Sequence, residues 1–447
     1  MPAASPEPTG LAALRVRGVG LTLRGWWFLG AGVTAVVVAY ASGRQAFLLA
    51  GCLLLALPVV GLVLVAVRRP RIEVSRAFAP DVVGVGEPAS VTLTVHNRAA
   101  SRSMPARWWD AVPWPPYTTP AGRLPALEGR SRRFGARNRA SVSYDIVAPR
   151  RGVIPIGPLT VEVGDPFGMA TATTTAGEPR PLVVTPAVVP LSAANLSIPA
   201  GDGEATRLQS RSAGDDDDTM TREYRSGDAM RRVHWRATAR HGDLMVRQEE
   251  QRSLPEARII VDTTRAGYPD ASTEPSEIDA DSEAFEWVVR MLASASVHLR
   301  RAGFTVAIEE TGAPQLDAVA RRRTWGDEDF LVRLASLDLT DEAERRPARR
   351  AGSRGPVVVL AGAPSAETVD WLLGRRRVGD LAVAFLAHAT TPFGRLDPRL
   401  EPRTEATAAM HRLSDAGWLV VPVRSGDDPA DAWRAVVVEA GRSRGTA

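Results

Sequence analysis

Residues 46–67 read AFLLAGCLLLALPVVGLVLVAV, 22 consecutive residues without a charge. A helix needs roughly 20 apolar residues to cross the hydrocarbon of a bilayer, so this run is long enough to span. A second run, 26–41 (WWFLGAGVTAVVVAYA), precedes it. With Leu21 to Leu23 in front, and Arg24 interrupting, it too reaches spanning length. Only Ser42-Gly43-Arg44-Gln45 separates the runs, so the two helices are expected to form an antiparallel pair. Trp26 and Trp27 suit the aromatic belt of a membrane interface. A cleaved leader followed by a buried helix fits less well, because there are two runs and no small-residue cleavage site between them. Residues 1–20 are expected to be a disordered, Pro-rich N-terminus and 21–70 a transmembrane hairpin.

Charge gives the hairpin an expected orientation. The chain has a formal net charge of +4 and no lysine. Residues 1–76 hold eight arginines against Glu7 and Glu73, and the rest holds 47 arginines against 49 acids. The surplus positive charge therefore sits beside the apolar runs. Arg15, Arg17 and Arg24 precede the hairpin and Arg68, Arg69 and Arg71 follow it, whereas the turn has only Arg44. Cytoplasmic flanks carry the arginines, so both ends and the soluble body are expected in the cytoplasm of a multi-pass membrane protein. The balanced body lacks the basic face that a nucleic-acid binder needs. The single cysteine, Cys52, excludes a disulfide framework and a cysteine metal site. Six scattered histidines show no metal-ligand spacing.

Residues 71–200 are rich in Val, Thr, Pro and Gly. Ala89 to Val95 alternates, with Val91, Leu93 and Val95 on one face; Val142 to Val147, Leu159 to Val163 and Leu182 to Thr185 read as further strands. Short strands between turn signals point to a β-sandwich. Trp108, Trp109 and Trp114 are expected to pack in core or loops rather than to form a ligand platform. Asp165 of the turn Gly164-Asp165-Pro166-Phe167-Gly168 is expected to cap that turn.

From Ala257 the texture changes. Arg258 to Asp262 is a buried-type strand, and Glu283 to Arg301 carries Phe285, Val288, Val289, Leu292, Ala295 and Leu299 on one helical face. Strands at Phe304 to Ile308, Pro356 to Leu360, Leu381 to Leu386 and Trp418 to Val423 alternate with helices at Ala366 to Arg375, Glu405 to Asp415 and Pro429 to Ala440. That alternation predicts a mainly parallel, Rossmann-like sheet covered on both faces over 256–447. Ligands of such folds sit at the carboxyl ends of strands, where Asp262 lies. The chain is thus expected to be an α+β multidomain protein: helical hairpin, β-sandwich, then α/β domain.

Between the two soluble domains, in 201–255, lies the densest cluster of polar chemistry. After Asp215 to Asp218 comes TREYRSGDAMRRVHWRATARHGDLMVRQEE, residues 221–250. Ser226-Gly227-Asp228 reads as a turn and helix N-cap. Met230, Val233 and Ala237 recur at helical spacing, Gly242 reads as a C-terminal glycine, and Leu244 onward reads as a strand. Its arginines, beside a run of aspartates, can build an ion-pair and cation–π cluster around Trp235 and Tyr224.

This stretch resembles the signature of domain-of-unknown-function family 58, in which R-x-Y-x-x-G-D, R-x-[IV]-[HD]-W, A-R and L-x-V-R recur. Here the matching residues are Arg222, Tyr224, Gly227, Asp228, Arg232, Val233, His234, Trp235, Ala239, Arg240, Leu244, Val246 and Arg247. Arg151-Gly152, Gly157-Pro158 and Asp165-Pro166-Phe167-Gly168 are similar to a second segment of the family, and the hairpin fits its layout, so the likeness runs over roughly 25–265. The resemblance implies a membrane-anchored bacterial protein whose C-terminal part is von Willebrand factor A-like. It also implies a MoxR-type AAA+ ATPase and a transglutaminase-like membrane protein as partners. The metal site of that C-terminal domain type needs Asp-x-Ser-x-Ser; this chain has Asp262-Thr263-Thr264-Arg265-Ala266. Asp262 and Thr264 are therefore only weak candidates for a metal.

The expected function is that of a non-enzymatic interaction or scaffold protein, touching lipid and protein and no nucleic acid, in cell-envelope or protein-assembly processes. Arg222, Tyr224, Gly227, Asp228, Arg232, His234, Trp235, Arg240 and Arg247 are its expected interaction residues. The alternative is a hydrolase, or a phosphate- or carboxylate-binding enzyme, using the 222–247 cluster, with Asp228, His234 and Asp243 as acid–base groups. A phosphate loop, a nucleophile elbow and a recognisable metal cluster are missing, so no catalytic residue and no cofactor are expected.

Overall fold

The computed structural model describes residues 18–68, 70–129, 138–192, 221–224, 230, 233, 235–247, 256–272, 282–316, 326–344, 355–376, 381–389 and 403–445. The chain divides into two compact units, with the boundary between Pro186 and Ala187.

The first unit begins with a strand, β1 (Gly18–Leu21), followed by helices α1 (Leu23–Ser42) and α2 (Gln45–Val67). This corrects the expectation that Leu21 extends the first helix. Thr22 ends the strand and caps the helix: its hydroxyl accepts from Gly25 N–H (3.2 Å) and donates to the Gly168 carbonyl (2.6 Å). That cap fixes where helical dihedrals start. Gly43, with φ of 68°, closes α1 and turns the chain into α2. The two helices pack closely where Gly32 meets Leu55 and Gly51 meets Val36. Small residues let the backbones approach, as apolar helix pairs require. Both helices are long and apolar enough to cross a membrane, and only 17% and 22% of their most apolar windows are buried, unlike core helices of a soluble fold.

Among the described residues, β1 and ten further strands of the first unit form three sheets. One sheet has the order β2 (Ile72–Ala79), β4 (Pro88–Asn97), β7 (Arg139–Val147), all antiparallel. A second has the order β1, β10 (Ala170–Ala176), β9 (Leu159–Gly164), β5 (Ala106–Asp110), β6 (Gly122–Leu124). The third joins β3 (Val82–Gly84), β11 (Arg180–Thr185) and β8 (Gly152–Ile156). Alternation along β4 is as read from sequence: Val91, Leu93 and Val95 are fully buried. They share one core with Trp108, Ile156, Leu159, Val161, Leu182 and Val184 from the other two sheets. Trp108 is buried there and Trp114 packs against it.

A buried ion pair ties two of these sheets together. Arg76 of β2 grips Asp110 at the end of β5 with two bonds, Nε to Oδ2 (2.9 Å) and Nη2 to Oδ1 (2.6 Å). Tyr144 of β7 donates to the same carboxylate (2.6 Å). Burial and the neighbouring carboxylate push the Tyr144 phenol far above its usual range, so it stays a donor.

The second unit holds a five-stranded parallel sheet, order β15 (Thr305–Glu310), β14 (Glu256–Val261), β16 (Val357–Ala361), β17 (Ala382–His388), β18 (Leu419–Arg424). Alternate residues enter two cores. Ile259, Val261, Val358, Leu360 and Phe385 face α4 (Glu283–Arg301), α5 (Asp327–Ala335) and α8 (Pro429–Gly445). Ile260, Val357, Val359, Ala384 and Leu386 face α6 (Ala366–Leu373) and α7 (Arg403–Asp415). Strands apolar on both faces need helices on both faces.

Helix α4 differs from its amphipathic reading. Besides the expected face, Trp287, Met291, Ala293, Ser294, Ser296 and Val297 are buried. The sheet covers one side, and α5, α8 and the segment after Pro186 cover the others. That segment is anchored by Val189 N–H donating to Ser294 Oγ (3.0 Å) and by Leu191 in the core.

Candidate functional site

Two places carry the sequence-predicted residues, both in the second unit. The first is a small antiparallel pair, β12 (Thr221–Glu223) with β13 (Met245–Arg247), joined through a seven-residue helix, α3 (Trp235–His241). The register sets Arg222 opposite Val246 and Thr221 opposite Arg247. Tyr224 N–H extends the pairing to the Leu244 carbonyl (2.8 Å), and its ring is half-buried. Gly242, with φ of 83°, ends the helix and donates to the Thr238 carbonyl (2.9 Å). Thr238 Oγ1 in turn accepts from Met245 N–H (3.0 Å), tying helix to strand.

The helix is shorter than the sequence spacing implies. Met230 is 58% exposed and precedes it, and Val233, buried, makes an isolated bridge. A pattern of apolar spacing does not fix a helix start. Trp235, the first helical residue, is 65% exposed, and Arg240 is exposed. Gly227, Asp228, Arg232 and His234 lie outside the described residues. The structure therefore brings Arg222, Tyr224 and Arg247 onto one strand pair and sets Trp235 and Arg240 on the helix between them.

The second place is the carboxyl end of β14. Asp262 is buried, and its Oδ1 accepts from Thr264 N–H (3.1 Å), Thr264 Oγ1 (2.6 Å) and Thr311 Oγ1 (2.5 Å). Acceptance from the residue two ahead makes an Asx turn. Tyr268 donates to the Asp262 carbonyl (2.6 Å), and burial beside Asp262 and Asp270 holds its phenol protonated. Gly267 passes so close that a side chain there would strike Asp262 Oδ2. Asp270 caps the start of α4, accepting from Ser282 Oγ (2.8 Å) and Ala284 N–H (3.1 Å). Burial lowers the pKa of His388, at the end of β17, from its ordinary 6.5, with Asp270 acting in the opposite sense.

Sequence reading missed Thr311, Gly267 and Tyr268 as neighbours of Asp262. Thr311 directly follows β15, so strand-end position was the available signal. These donors do not make a hard-cation shell. Ala266 offers no hydroxyl, both threonine hydroxyls converge on one carboxylate oxygen, and the described residues hold no group of three His, Cys, Asp or Glu. Six or more oxygens are the norm for such ions.

Residues 220–274 match the family model described as Protein of unknown function DUF58. The segment is a DUF58 segment. The DUF58 match runs from the β12–β13 pair through β14 to Asp270, so it takes in both places described above. The hairpin and the upstream Asp165-Pro166-Phe167-Gly168 turn lie outside the DUF58 match. No curated protein matches the chain. Among solved structures, the CARDB domain of the PF1109 protein from Pyrococcus furiosus is 16% identical, over 24% of this chain and 94% of that one, with a TM-score of 0.17. The PilB minor pilin from Streptococcus sanguinis is 8% identical, over 75% of this chain and 87% of that one, with a TM-score of 0.25. Scores this low transfer neither fold nor function.

Proposed function

We propose that the protein is a membrane-anchored, non-enzymatic docking protein whose DUF58 segment grips a protein partner. The observation that carries this reading is Trp235, a tryptophan 65% exposed on a helix one residue short of eight, with Arg240 exposed on the same helix. Trp, Tyr and Arg dominate the binding energy of protein interfaces. The family resemblance supplies the partners, a MoxR-type AAA+ ATPase and a transglutaminase-like membrane protein, in a cell-envelope or protein-assembly process. The arginine-rich flanks of the hairpin support cytoplasmic soluble units. A β-sandwich reading of the first unit is supported by alternating burial in β4 and a core shared between sheets. A von Willebrand factor A-like reading of the second is supported by its parallel sheet and by Asp262 after β14.

The test is crosslinking and purification of the full-length protein from membranes of a host that makes the ATPase. Trp235→Ala is expected to abolish ATPase capture while the melting temperature stays put. Undiminished capture by that variant would sink the docking role of the helix.

A further inference from the structure

We propose that the β9–β10 turn, Pro166-Phe167, is a second membrane contact, a wedge lying in the lipid headgroup layer beside the hairpin. This rests on the membrane-anchored reading above and adds a lipid-facing site in the first soluble unit.

The turn is seated on both helices at one level. Gly25 of α1 faces the Met169 carbonyl so closely that no side chain would fit. Gly61 of α2 faces the Asp165 carboxyl carbon, and a side chain added there would lie 3.2 Å from it and 3.4 Å from Met169 Cβ. Thr22 N–H donates to the Met169 carbonyl (2.9 Å), and the Thr22 hydroxyl to Gly168 (2.6 Å). Asp165 holds the turn's shape, accepting from Phe167 N–H (2.8 Å) and Ala170 N–H (2.6 Å). The turn is therefore fixed to the hairpin.

Its depth follows from helix geometry. Gly61 lies six residues before Val67, the last of α2, or about 9 Å along the axis at 1.5 Å per residue. The segment beyond it, Leu62 to Val67, is wholly apolar. Val65 in it is buried against Ala170 and Ala172 of β10, with Leu21 and Val19 of β1 alongside. From Gln45 to Gly61, α2 rises about 25 Å, somewhat less than the roughly 30 Å hydrocarbon core. A bilayer that covers the apolar length of both helices thus reaches the level of the turn.

The side chains at that level are those of an interface. Phe167 is 50% exposed at the tip, and Pro166 is exposed beside it. On α1, Leu23, Trp26 and Trp27 are 75%, 62% and 71% exposed. The Arg24 guanidinium reaches toward Gly168, 3.7 Å from where a side chain there would begin. An aromatic tip, two tryptophans and an arginine at one depth fit acyl chain and phosphate in turn.

The chain's single cysteine makes the test direct. In a Cys52→Ala background, spin labels are placed by Phe167→Cys, Pro166→Cys, Val37→Cys and Tyr117→Cys, and the full-length protein is reconstituted into phosphatidylcholine–phosphatidylglycerol vesicles. Val37 is 61% exposed within α1. Tyr117, 49% exposed, lies in the loop bonded to Pro158, at the far end of β9 from the turn. Relaxation by oxygen and by a water-soluble nickel chelate reads depth. Labels at 166 and 167 are expected to lose nickel accessibility relative to 117 while remaining shallower than 37. If 37 reads as hydrocarbon and both turn positions are as open to nickel as 117, the wedge is wrong and the anchor stands. If 37 itself is open to nickel, the anchor fails and the wedge with it.

Discussion

Helix α4 and the DUF58 strand–helix–strand belong to the same unit and are built in opposite ways. Helix α4 runs 19 residues with 13 of them buried, so every side of it is occupied by its own fold. The DUF58 element has Val233 and Met245 inside and presents Trp235, Met230 and Leu244 to the outside. Local stability follows buried apolar contact, and segments poor in it are where proteins keep surfaces for others. The difference teaches that the same residue type carries two meanings here. Trp287 of α4 is core, and Trp235 is exposed, as the proposed docking role requires.

Substitutions can break or sharpen that contrast. Trp287→Ala removes a side chain 1% exposed that also donates to the Asp427 carbonyl (2.9 Å). It is expected to cost about 3–5 kcal/mol, read as a large drop in the denaturation midpoint of the second unit. In the first unit, Arg76→Met strands Asp110, whose side chain is 0% exposed. A loss of roughly 3–5 kcal/mol is expected on chemical denaturation, and an Arg76→Met, Asp110→Leu pair should recover much of it. A smaller effect is expected from pH. Burial lowers the His298 pKa from its ordinary 6.5, and the ring packs edge-on to Trp433 at 5.3 Å. The unfolded chain then takes up the proton first. The stability contributed by neutral His298 is present above 6.5 and is lost as pH falls through that value toward the lower folded one. His298→Gln should flatten the slope of melting temperature between about pH 7 and pH 5. Smallest of all, Trp235→Ala is expected to shift stability by no more than about 0.5 kcal/mol. A large loss there would make that tryptophan structural and erase the contrast with Trp287.

Much of the fold was legible because period and punctuation agree locally. Val91, Leu93 and Val95 alternate, and Glu283 to Arg301 has its first and last residues where the structure has them. What was not legible depends on partners distant in sequence. Strand β1 escaped notice because Gly18–Leu21 becomes a strand only by pairing with β10, from Gly18 opposite Thr173 to Leu21 opposite Ala170. The extra burial of α4 beyond its amphipathic face escaped because its outer face is polar enough to pass as solvated until α5, α8 and Val189 cover it. At the candidate site, the strand-end position of Asp262 was readable, but the hydroxyl of Thr311, 49 residues on, was not. The start of α3 was over-read because the apolar spacing from Met230 includes Val233, which sits in a β-bridge ahead of the helix.

The placement of β1 has a practical consequence. Because one five-stranded sheet takes a strand from before the two apolar helices and four from after them, those helices are an insertion in a folded unit rather than a detachable leader. A soluble fragment started at residue 71 would leave the backbone donors and acceptors of β10 uncovered along one edge, together with the apolar faces of Ala170 and Ala172. Such an open edge recruits strands from other molecules. Fragments trimmed that way should self-associate, and a short linker rejoining Leu21 to Ile72 in place of the helices is the route to a monodisperse one.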